Sequence, residues 1–412
     1  MRILIISQYF WPESFRINDL ALGLMERGNE IMVLTGVPNY PSGRFFPGYN
    51  FLSPAKEVYM GIRVARVPVL PRGKGQGWRL LLNYLSFVIS ACLLGPLRCR
   101  GEFDAIFVFQ PSPVTVGLPA VLFRWLKKVP MLFWVQDLWP ESLSATGAVR
   151  SRQILSWVRR LVRFIYRRSD RILIQSRRFE SHVIGVGAAA ERVLYLPNWA
   201  EAMYRFVMVE PEAQERSELP HGFRIVFAGN IGAAQSFETI LAAAQQLKDY
   251  TDIHWVILGD GHRRSWLEQQ LIVLGLQEHV HLLGQRPIEA MPRYFALGDA
   301  LLVTLRNDPI FSLTIPSKIQ SYLACGKPIV AALDGEGARV IRESGAGIVA
   351  AAEDAQALAQ AVLNLYRMSP AERCRMGKHG EAYFKANFDR AMLIDKLENW
   401  IVDVKKERAC VS

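Results

Sequence analysis

Short, continuous apolar runs alternate with helical stretches along this chain, and the whole pattern occurs twice. Residues 3–7 and 31–35 are almost entirely apolar, which favours parallel strands buried on both faces. A helical stretch separates them, and a strand, a helix and a strand at this spacing predict a βαβ unit. The pattern starts again after Pro197. The 412 residues therefore predict an α/β fold with two doubly wound domains, each built on a mainly parallel sheet.

The predicted strands set the limits of these domains. Further strands are expected in the first half at 63–69, 105–109, 131–135, 171–175 and 193–196, and in the second half at 223–228, 253–259, 280–283, 300–304 and 329–332. Residues 197–205 begin at a proline and predict the linker. We expect domains at 1–198 and 199–388, then a helix and tail at 389–412 that can cross back to the first domain.

The positive charge of the chain lies in its first half. The net charge is +11, and residues 1–200 hold 26 Lys and Arg against 12 Asp and Glu, while residues 201–412 hold 23 against 26. This asymmetry indicates an anionic partner for the first half, either a membrane surface or a nucleic acid, or else a solvated basic surface without a partner.

Two segments of the first half are candidates for that membrane surface. In the segment 72–98, residues 80–97 carry no charge, which fits a membrane span, a helix partly inserted in the interface, or a buried helix. In 151–168, an apolar face with Trp157 and Phe164 is backed by arginines, which is typical of an in-plane membrane helix or of a helix packed on the sheet. Because the arginines are backed by an apolar stripe, no nucleic-acid partner is expected.

Several chemistries have no motif here. The five cysteines are scattered, which indicates a reducing cytosol without disulfides or a zinc site. The first ten residues predict a strand rather than a signal peptide. No metal-ligand spacing of histidines, D-x-D pair or G-x-x-x-x-G-K-[ST] loop occurs, so we expect neither a metal nor another cofactor.

The stretch 311–328 of the second half predicts a diphosphate site. Pro316 suits the first turn of a helix, Thr314 is a candidate cap, and Gly326 ends the helix. A helix start with free N–H groups, the Ser317 hydroxyl and the Lys318 cation can bind a diphosphate.

Three glycine turns follow predicted strands near that stretch. They are 229–232 (GNIG), 259–262 (GDGH) and 334–340 (DGEGARV). Glycine lets the backbone approach a phosphate closely, and Glu336 is either a ribose ligand or a helix cap. All three turns come from carboxyl ends of strands, where doubly wound sheets bind ligands.

Polar residues also follow the strands of the first half. Asp137 and Glu141 come after the strand at 131–135 and can act as a base and a sugar ligand, although Asp137 can equally cap the next helix. Three residues after the first strand face the same crevice: Glu13, Arg16 and Asn18. Arg16 can hold an anionic acceptor or be a surface charge.

Taken together, these motifs resemble a known family. MRILIISQYFWPE, LTGVPNYPSG, VQDLWPES, LPNWAE, FAGNIG, LGDG, PSKIQSYLACGKPI and DGEGARVI resemble the family 4 glycosyltransferases of the GT-B fold, within them the fucosaminyltransferase-like enzymes of bacterial O-antigen and colanic-acid synthesis. The resemblance implies two Rossmann-like domains facing a central cleft. It also implies retaining, metal-independent transfer of a sugar, such as N-acetyl-fucosamine or another N-acetylated hexose, from a UDP-sugar to a polyprenyl-diphosphate-linked acceptor. The implied location is the cytoplasmic face of the inner membrane.

The resemblance assigns roles to these residues. The catalytic candidates are Asp137, Glu141 and Lys318. The donor-binding candidates are Gly229, Asn230, Gly232, Gly259, Ser312, Leu313, Thr314, Ser317, Lys318 and Glu336. The acceptor-binding candidates are Glu13, Arg16, Asn18, Asn39 and Tyr40.

The chain departs from the family pattern at several sites. Leu313 and Ser321 stand where many relatives carry glutamates, and Gln136 stands where a histidine is common. A basic residue that often follows GNIG is missing, as are the paired glycines after the first strand. Lys318 is thus the main cation, and we expect backbone N–H groups of 312–314, together with Glu336, to bind the sugar and the ribose of the donor.

Two other functions fit the same sequence. One is a nucleotide-sugar epimerase of the GT-B fold, which needs no membrane surface. The other is a non-catalytic, membrane-associated assembly protein of a polysaccharide complex, which does not bind UDP.

Overall fold

The chain forms two compact units. The computed structural model describes all residues except 52, 54, 74–76, 146–148, 150, 411 and 412. The first unit comprises Met1–Pro197 and Ala391–Ser412, and the second comprises Asn198–Arg390. The last helix is therefore part of the first unit. Residues 74–76 of the predicted membrane segment and the last two residues of the tail lie outside the described residues.

An eight-stranded sheet forms the centre of the first unit. Its strands are β1 (Arg2–Ile6), β2 (Glu30–Gly36), β3 (Lys56–Tyr59), β4 (Ile62–Val67), β5 (Ala105–Gln110), β6 (Met131–Val135), β7 (Arg171–Ile174) and β8 (Val193–Tyr195). They lie in the order β3-β4-β2-β1-β5-β6-β7-β8, with all neighbours parallel except β3 and β4. Strand order reverses between β1 and β5, so the polar loops after these strands meet at the carboxyl edge.

Helices cover the sheet of the first unit. They are α1 (Arg16–Glu26), α2 (Gly77–Arg98), α3 (Gly117–Lys127), α4 (Glu141–Ala145), α5 (Arg152–Arg168) and α6 (Phe179–Val186). In α1 the residues Ile17, Leu20, Ala21 and Leu24 are spaced at the helical period and are buried. The strands are apolar on both faces because helices pack on both sides, and every residue of β6 is buried.

The second unit is built on a six-stranded parallel sheet. Its strands are β9 (Phe223–Ala228), β10 (Ile253–Leu258), β11 (Val280–Gly284), β12 (Ala300–Thr304), β13 (Ile329–Ala332) and β14 (Gly347–Ala350). Its helices are α7 (Gln214–Ser217), α8 (Phe237–Gln246), α9 (Arg264–Leu274), α10 (Met291–Leu297), α11 (Pro309–Ser312), α12 (Ser317–Ala324), α13 (Gly335–Ser344), α14 (Ala355–Arg367) and α15 (Pro370–Asn387). The strand order is β11-β10-β9-β12-β13-β14, so the order reverses between β9 and β12. The final helix, α16 (Arg390–Ala409), packs in the first unit.

The apolar helix α2 touches the rest of the first unit along a narrow stripe. Asn83, Phe87, Ala91 and Gly95 are buried against β2, β4 and α3. Large apolar side chains on its other sides are exposed: Trp78, Leu81, Leu82, Leu85, Ile89, Leu93 and Leu97. Among the described residues, α2 is the one helix long and apolar enough to cross a membrane. Most of the apolar surface of α2 is exposed to solvent, because only every fourth residue faces the sheet.

The arginine-rich helix α5 is packed only along its second half. Val162, Ile165 and Tyr166 are buried, whereas Ile154 and Trp157 near its start are exposed. The arginines of this helix lie at the surface. The apolar face predicted for 151–168 is therefore divided between core and surface.

Two strands were missed by the sequence analysis, and one predicted helix cap is wrong. The strands β3 and β14 were not predicted, since Lys56–Tyr59 is an alternating, half-exposed edge strand and Gly347–Ala350 is a short run beginning with glycine. The prediction of Thr314 as a helix cap is wrong. Pro316 occupies the N-cap of α12, while Thr314 lies in the turn after α11.

Candidate functional site

In the second unit, the predicted donor residues come together where the strand order reverses. Gly229 follows β9, Gly259 follows β10, and Lys318 lies in the first turn of α12, after β12. The carboxyl ends of parallel strands meet at one edge of a sheet, which brings these three residues together.

The turns at Gly229 and Gly259 require glycine. Their φ angles are +138° and +143°, a region that L side chains rarely adopt. The N–H of Gly229 donates to Leu258 O at 2.8 Å, and a Cβ on Gly259 would lie 1.9 Å from Gly229 O. The two backbones are thus in direct contact.

Lys318 reaches from α12 to the Gly229 turn. A Cβ at Gly229 would lie 2.8 Å from Lys318 Cε and 3.1 Å from its Nζ. Nζ donates to Gln235 Oε1 at 3.1 Å and lies 3.5 Å from the centre of the Phe227 ring. Burial lowers the pKa of this amine to about 7. Within the described part of the chain no carboxylate pairs with it, so its positive charge is available to an anion.

The start of α12 lies beside this lysine. Pro316 at the N-cap has no side-chain oxygen to cap the helix, and the side chain of Ser317 is exposed. The first N–H groups of a helix carry partial positive charge, which favours an anion there. Ser321 is one turn further on, buried, and donates to Ser317 O at 3.3 Å, which stabilises the helix rather than a ligand.

The backbone N–H groups of 312–314 are used within their own turn. Ser312, Leu313 and Thr314 donate to the carbonyls of residues 308, 310 and 311 at 3.1, 3.2 and 3.3 Å. The reason is the short helix α11, which is capped by Asp308. The sequence predicted these N–H groups for the donor, and in the structure each is bonded to a carbonyl of its own turn.

Glu336 is also engaged elsewhere. Its side chain is 1% exposed, and its two carboxylate oxygens accept from Arg339 at 2.6 and 3.0 Å. Since α13 begins at Gly335, Arg339 lies one turn after Glu336 and can reach back to it. Both oxygens of this buried carboxylate are therefore bonded to Arg339, a pair that stabilises the helix.

A cavity of about 350 Å³ opens beside the two glycine turns. It is lined by Gly229, Asn230, Leu258, Gly259, Asp260, Gln285, Arg286, Ile288 and Met291. The side chain of Asn230 lies between Gly232 and Gly261, close to both backbones. Gln285 and Arg286 were not predicted from the sequence, although their position directly after β11 at the carboxyl edge is the signal that identifies them.

In the first unit, three predicted acceptor residues hold loops together. Glu13 is 1% exposed and accepts from the backbone N–H groups of Phe10, Asn39 and Tyr40 at 3.3, 2.8 and 2.7 Å. Burial raises the pKa of Glu13 to about 7. Asn18 donates to Glu13 O at 2.7 Å, and Asn39 donates to Val37 O at 2.9 Å. These side chains fix the loops after β1 and β2 and are buried from a ligand, with the exception of the half-buried Asn18.

An aromatic cluster forms on the loops that Glu13 fixes. The Tyr9 and Phe15 rings stack with their centres 5.0 Å apart, and Tyr40 lies 5.1 Å from Phe15. The Arg72 guanidinium lies 4.9 Å from the centre of the Tyr40 ring. Arg16, which begins α1 next to Phe15, is half-buried. This cluster offers flat apolar faces and a cation, a combination suited to a sugar with an anionic group.

Asp137 follows β6 at the same edge of the first sheet. Trp139 Nε1 donates to its Oδ2 at 3.1 Å, and burial raises the pKa of Asp137 to about 6. Glu141 begins α4, and its Oε1 lies 3.5 Å from Arg159 Nη2. Asp137 thus has the perturbed titration expected of a functional carboxylate, and Glu141 is a helix-start residue near an arginine.

Buried amides near the carboxyl ends of β1 and β5 were not predicted from the sequence. Gln8 Nε2 donates to Asn83 Oδ1 at 2.7 Å, and Gln110 at the end of β5 is fully buried. Within the described residues, neither side-chain polar atom of Gln110 has a hydrogen-bond partner. Gln8 follows β1 and Gln110 ends β5, and these two strands are neighbours in the sheet although about a hundred residues separate them.

The described residues contain no group of three or more His, Cys, Asp or Glu that could hold a metal ion. All five cysteines are unpaired.

Comparisons with known proteins identify both units. Residues 14–199 match the family model described as glycosyl transferase 4-like domain, and residues 222–368 match the model described as glycosyl transferases group 1. The chain is 25% identical over 338 residues to the putative colanic acid biosynthesis glycosyl transferase WcaI of Escherichia coli, covering 79% of this chain and 82% of that protein. It is 28% identical over 296 residues to the probable glycosyltransferase WbjE of Pseudomonas aeruginosa, covering 69% and 72%. The crystal structure of Anabaena HepE in complex with UDP shares the fold, with a TM-score of 0.71, 15% identity, and coverage of 98% and 100%.

Proposed function

Because the chain belongs to the family 4 glycosyltransferases and has the GT-B fold, we propose that it transfers a sugar, with retention of configuration, from a UDP-sugar to a polyprenyl-diphosphate-linked acceptor. N-acetyl-fucosamine or another N-acetylated hexose is the sugar we propose. The product would enter a surface polysaccharide, as the name of the colanic acid relative suggests. The family matches favour this transfer over an epimerase and over a non-catalytic assembly protein.

The position of Lys318 is the observation that carries the proposal. Its ammonium group lies against the Gly229 turn, and the uncapped start of α12 lies beside it. A diphosphate at this place would receive one full positive charge and the partial charges of the helix start without a metal ion. The cavity beside Gly259 would take the nucleoside. UDP bound to the HepE relative, which shares the fold, supports the same choice of nucleotide.

The chemistry follows from these positions. The acceptor hydroxyl attacks the anomeric carbon on the face from which UDP leaves, so the bond to the acceptor oxygen forms as the bond to the diphosphate oxygen breaks. A phosphate oxygen of the leaving UDP takes the proton of that hydroxyl. Lys318 and the start of α12 stabilise the negative charge that develops on UDP. Asp137 and Glu141 position the sugars.

We further propose that the enzyme works at the cytoplasmic face of the inner membrane. The exposed leucines of α2 and the exposed start of α5, with its arginines, offer an apolar surface with positive charges, which suits an anionic membrane interface. No part of this proposal requires α2 to cross the bilayer, because its buried stripe keeps it on the first unit.

One experiment tests the transfer. Purified protein is incubated with a panel of UDP-sugars and short polyprenyl-diphosphate-linked sugars, and products are identified by mass spectrometry. We expect one UDP-sugar to give a lipid-linked product and UDP, and Lys318→Ala to reduce both at least a hundredfold. Full turnover in Lys318→Ala would rule out the phosphate role, and absence of any lipid-linked product from the whole panel would contradict the proposed function.

A further inference from the structure

A groove with a volume of about 560 Å³ lies at the start of α2, in the first unit. Two loops and the first turn of α2 form its walls, which include Arg44, Phe45, Leu70, Trp78, Arg79 and Leu82. The walls are mainly apolar, and the two arginines are both exposed. None of the residues assigned above to donor or acceptor binding lines this groove.

The groove is held open by a close contact between its two loops. The Gly73 N–H donates to Gly43 O at 3.0 Å, and a Cβ on Gly43 would lie 1.7 Å from Gly73 O. The φ of Gly43 is +73°, so only glycine is suited to this position. A Cβ on Gly73 would in turn lie 3.0 Å from Arg79 Nη1. The guanidinium of Arg79 therefore lies beside the Gly73 loop.

The arginines around the groove lack acidic partners. In the described part of the chain, Arg44, Arg72 and Arg79 form no ion pair, whereas Arg66 and Arg124 of the same unit pair with Glu57 and Asp170. Three unpaired guanidinium groups favour a ligand with more than one negative charge, and guanidinium binds phosphate oxygens through two parallel hydrogen bonds.

The groove is continuous with the exposed apolar side of α2. Trp78 and Leu82 line it, and Leu85 and Ile89 continue the same exposed surface along the helix. A ligand that fits both features has an anionic head and a long apolar tail. In the other direction, the Arg72 guanidinium contacts the Tyr40 ring, and the centres of the Tyr84 and Trp139 rings lie 6.4 Å apart, two residues from Asp137.

We propose that this groove binds the diphosphate and first isoprene units of the polyprenyl-diphosphate-linked acceptor, an inference that rests on the proposed acceptor class. The diphosphate lies between Arg44 and Arg79, with Arg72 on the side of the Tyr40 ring, and the chain of isoprene units runs along α2. The attached sugar extends past Arg72 and Tyr84 toward Asp137. The groove thus selects a diphosphate lipid and sets how far its sugar reaches.

The test measures binding of farnesyl diphosphate to the full chain by calorimetry in a mild detergent. We expect the wild type to bind farnesyl diphosphate at least tenfold more tightly than farnesyl monophosphate, and Arg44→Ala/Arg79→Ala to lose at least tenfold in affinity. Arg342→Ala/Arg375→Ala is the matched control, since it removes two exposed arginines from the second unit and should change nothing. Both double variants should bind UDP like the wild type.

Three results would overturn the proposal. They are equal affinity of the wild type for the two farnesyl phosphates, undiminished affinity in Arg44→Ala/Arg79→Ala, and complete competition by phosphatidylglycerol in nanodiscs, which would assign the groove to membrane phospholipid. Transfer assays separate this proposal from the proposed function. If the wild type binds farnesyl diphosphate in the groove but makes no lipid-linked sugar, the proposed transfer is wrong and the proposed lipid-diphosphate site is kept. If transfer proceeds and the arginine variant keeps the wild-type KM for the lipid acceptor, the groove fails and the transfer stands.

Discussion

At the scale of single residues, Lys318 lies in the first turn of α12 and its side chain contacts the Gly229 turn. Among the described residues, its amine has no charged neighbour to compensate for its burial. The amine is packed against Phe227 and has Gln235, a neutral group, as its hydrogen-bond partner. Burial lowers its pKa to about 7, and within the described part of the chain no neighbouring charge compensates for that burial. A lysine that is only partly charged without ligand gains its full charge when a diphosphate arrives, so binding and protonation must be coupled.

We predict that UDP binding takes up a proton at Lys318. At pH 8 the free amine is mostly neutral, and the bound one is charged, so close to one proton should be taken up per UDP. At pH 6 the amine is already charged and uptake should be small. Calorimetry in Tris and in HEPES, buffers with different heats of ionisation, measures the number of protons taken up per UDP bound. Lys318→Met should abolish the dependence on buffer, and a wild type without buffer dependence at pH 8 would contradict the prediction.

Asp137 should show opposite effects on stability and on activity. Its pKa rises from 3.8 to about 6, so the folded state binds the proton more tightly than the unfolded state. The contribution of Asp137 to stability is therefore highest below about pH 4 and is lost as the pH rises through 6, where the buried carboxylate ionises. At pH 7, Asp137→Asn should be about 2 kcal/mol more stable than the wild type, after allowance for partial exposure. Urea titrations at pH 4 and 7 measure this difference.

The same variant should transfer sugar at least tenfold more slowly, because the neutral amide has one acceptor oxygen where the carboxylate has two and lacks its negative charge. The wild-type rate should fall as the pH drops below about 6. Asp137→Asn with normal transfer would show that the aspartate has a structural role only.

The sequence could identify some functional residues but not the partners of others. Lys318 and Gly229 were predicted because helix starts and glycine turns have local signals. The positions of Glu13, Asn39 and Glu336 were also predicted, but each is bound to a partner that the local sequence does not specify. Glu13, for example, bonds to N–H groups 26 and 27 residues away. Whether a polar side chain faces a ligand or a loop depends on tertiary contacts.

At the scale of elements, the strands follow from the sequence better than the turns between them. The predicted strands of the second sheet agree with the observed ones within a residue or two, because buried parallel strands are continuous apolar runs. The strand β3 was missed because it is an antiparallel edge with alternate residues exposed, and the start of α12 was misjudged because α11 takes up the residues before it.

Two glycine substitutions should separate binding from folding. In Gly229→Ala the new Cβ meets the flexible end of Lys318, which can move away, so UDP affinity should fall at least tenfold while the strained φ costs about 1–3 kcal/mol of stability. In Gly259→Ala the Cβ meets the Gly229 carbonyl at 1.9 Å, so the turn itself must shift and the loss of stability should be larger.

Thermal unfolding and calorimetric UDP titrations compare the two variants. Gly185→Ala is the control, since its Cβ would meet nothing within 4 Å in the helix α6. Equal UDP affinity in Gly229→Ala and the wild type would show that UDP binding does not depend on the position of Lys318 beside Gly229.

Exposed leucines on α2 should be needed for membrane binding but not for folding. Leu93 is 68% exposed, so Leu93→Glu should leave stability within about 0.5 kcal/mol. A carboxylate at this place should weaken binding to anionic vesicles at least tenfold, because it must be desolvated in the interface and is repelled by the lipid headgroups.

Ile272→Glu is the matched control, because Ile272 is also 68% exposed but lies on α9 of the second unit. Co-sedimentation with vesicles containing phosphatidylglycerol measures binding. Equal loss in both variants would indicate a nonspecific effect of added negative charge, and no loss in either would contradict a role of α2 at the membrane.

At the scale of the whole molecule, the end of the chain completes the unit in which the chain begins. The helix α16 buries Leu393, Ile394, Leu397 and Ile401 in the first unit. Its polar side also pairs with that unit, for example between Asp395 and Arg27, at 2.5 Å. The alternation of strands and helices predicted two α/β domains, but no local signal specifies that residues near 400 pack beside residues near 30.

We predict that core substitutions in the two units will respond differently to UDP. Leu397→Ala removes a fully buried side chain from the first unit, and Leu365→Ala removes one from α14 of the second, each at a cost of about 3 kcal/mol. UDP binds the folded second unit in our proposal, and at about a hundred times its Kd it should stabilise that unit by about 2.7 kcal/mol. Scanning calorimetry with and without UDP should therefore show nearly complete recovery of the affected transition in Leu365→Ala and little recovery in Leu397→Ala. Recovery of the Leu397→Ala transition instead would place the nucleotide on the first unit and contradict the assignment of the donor to Lys318.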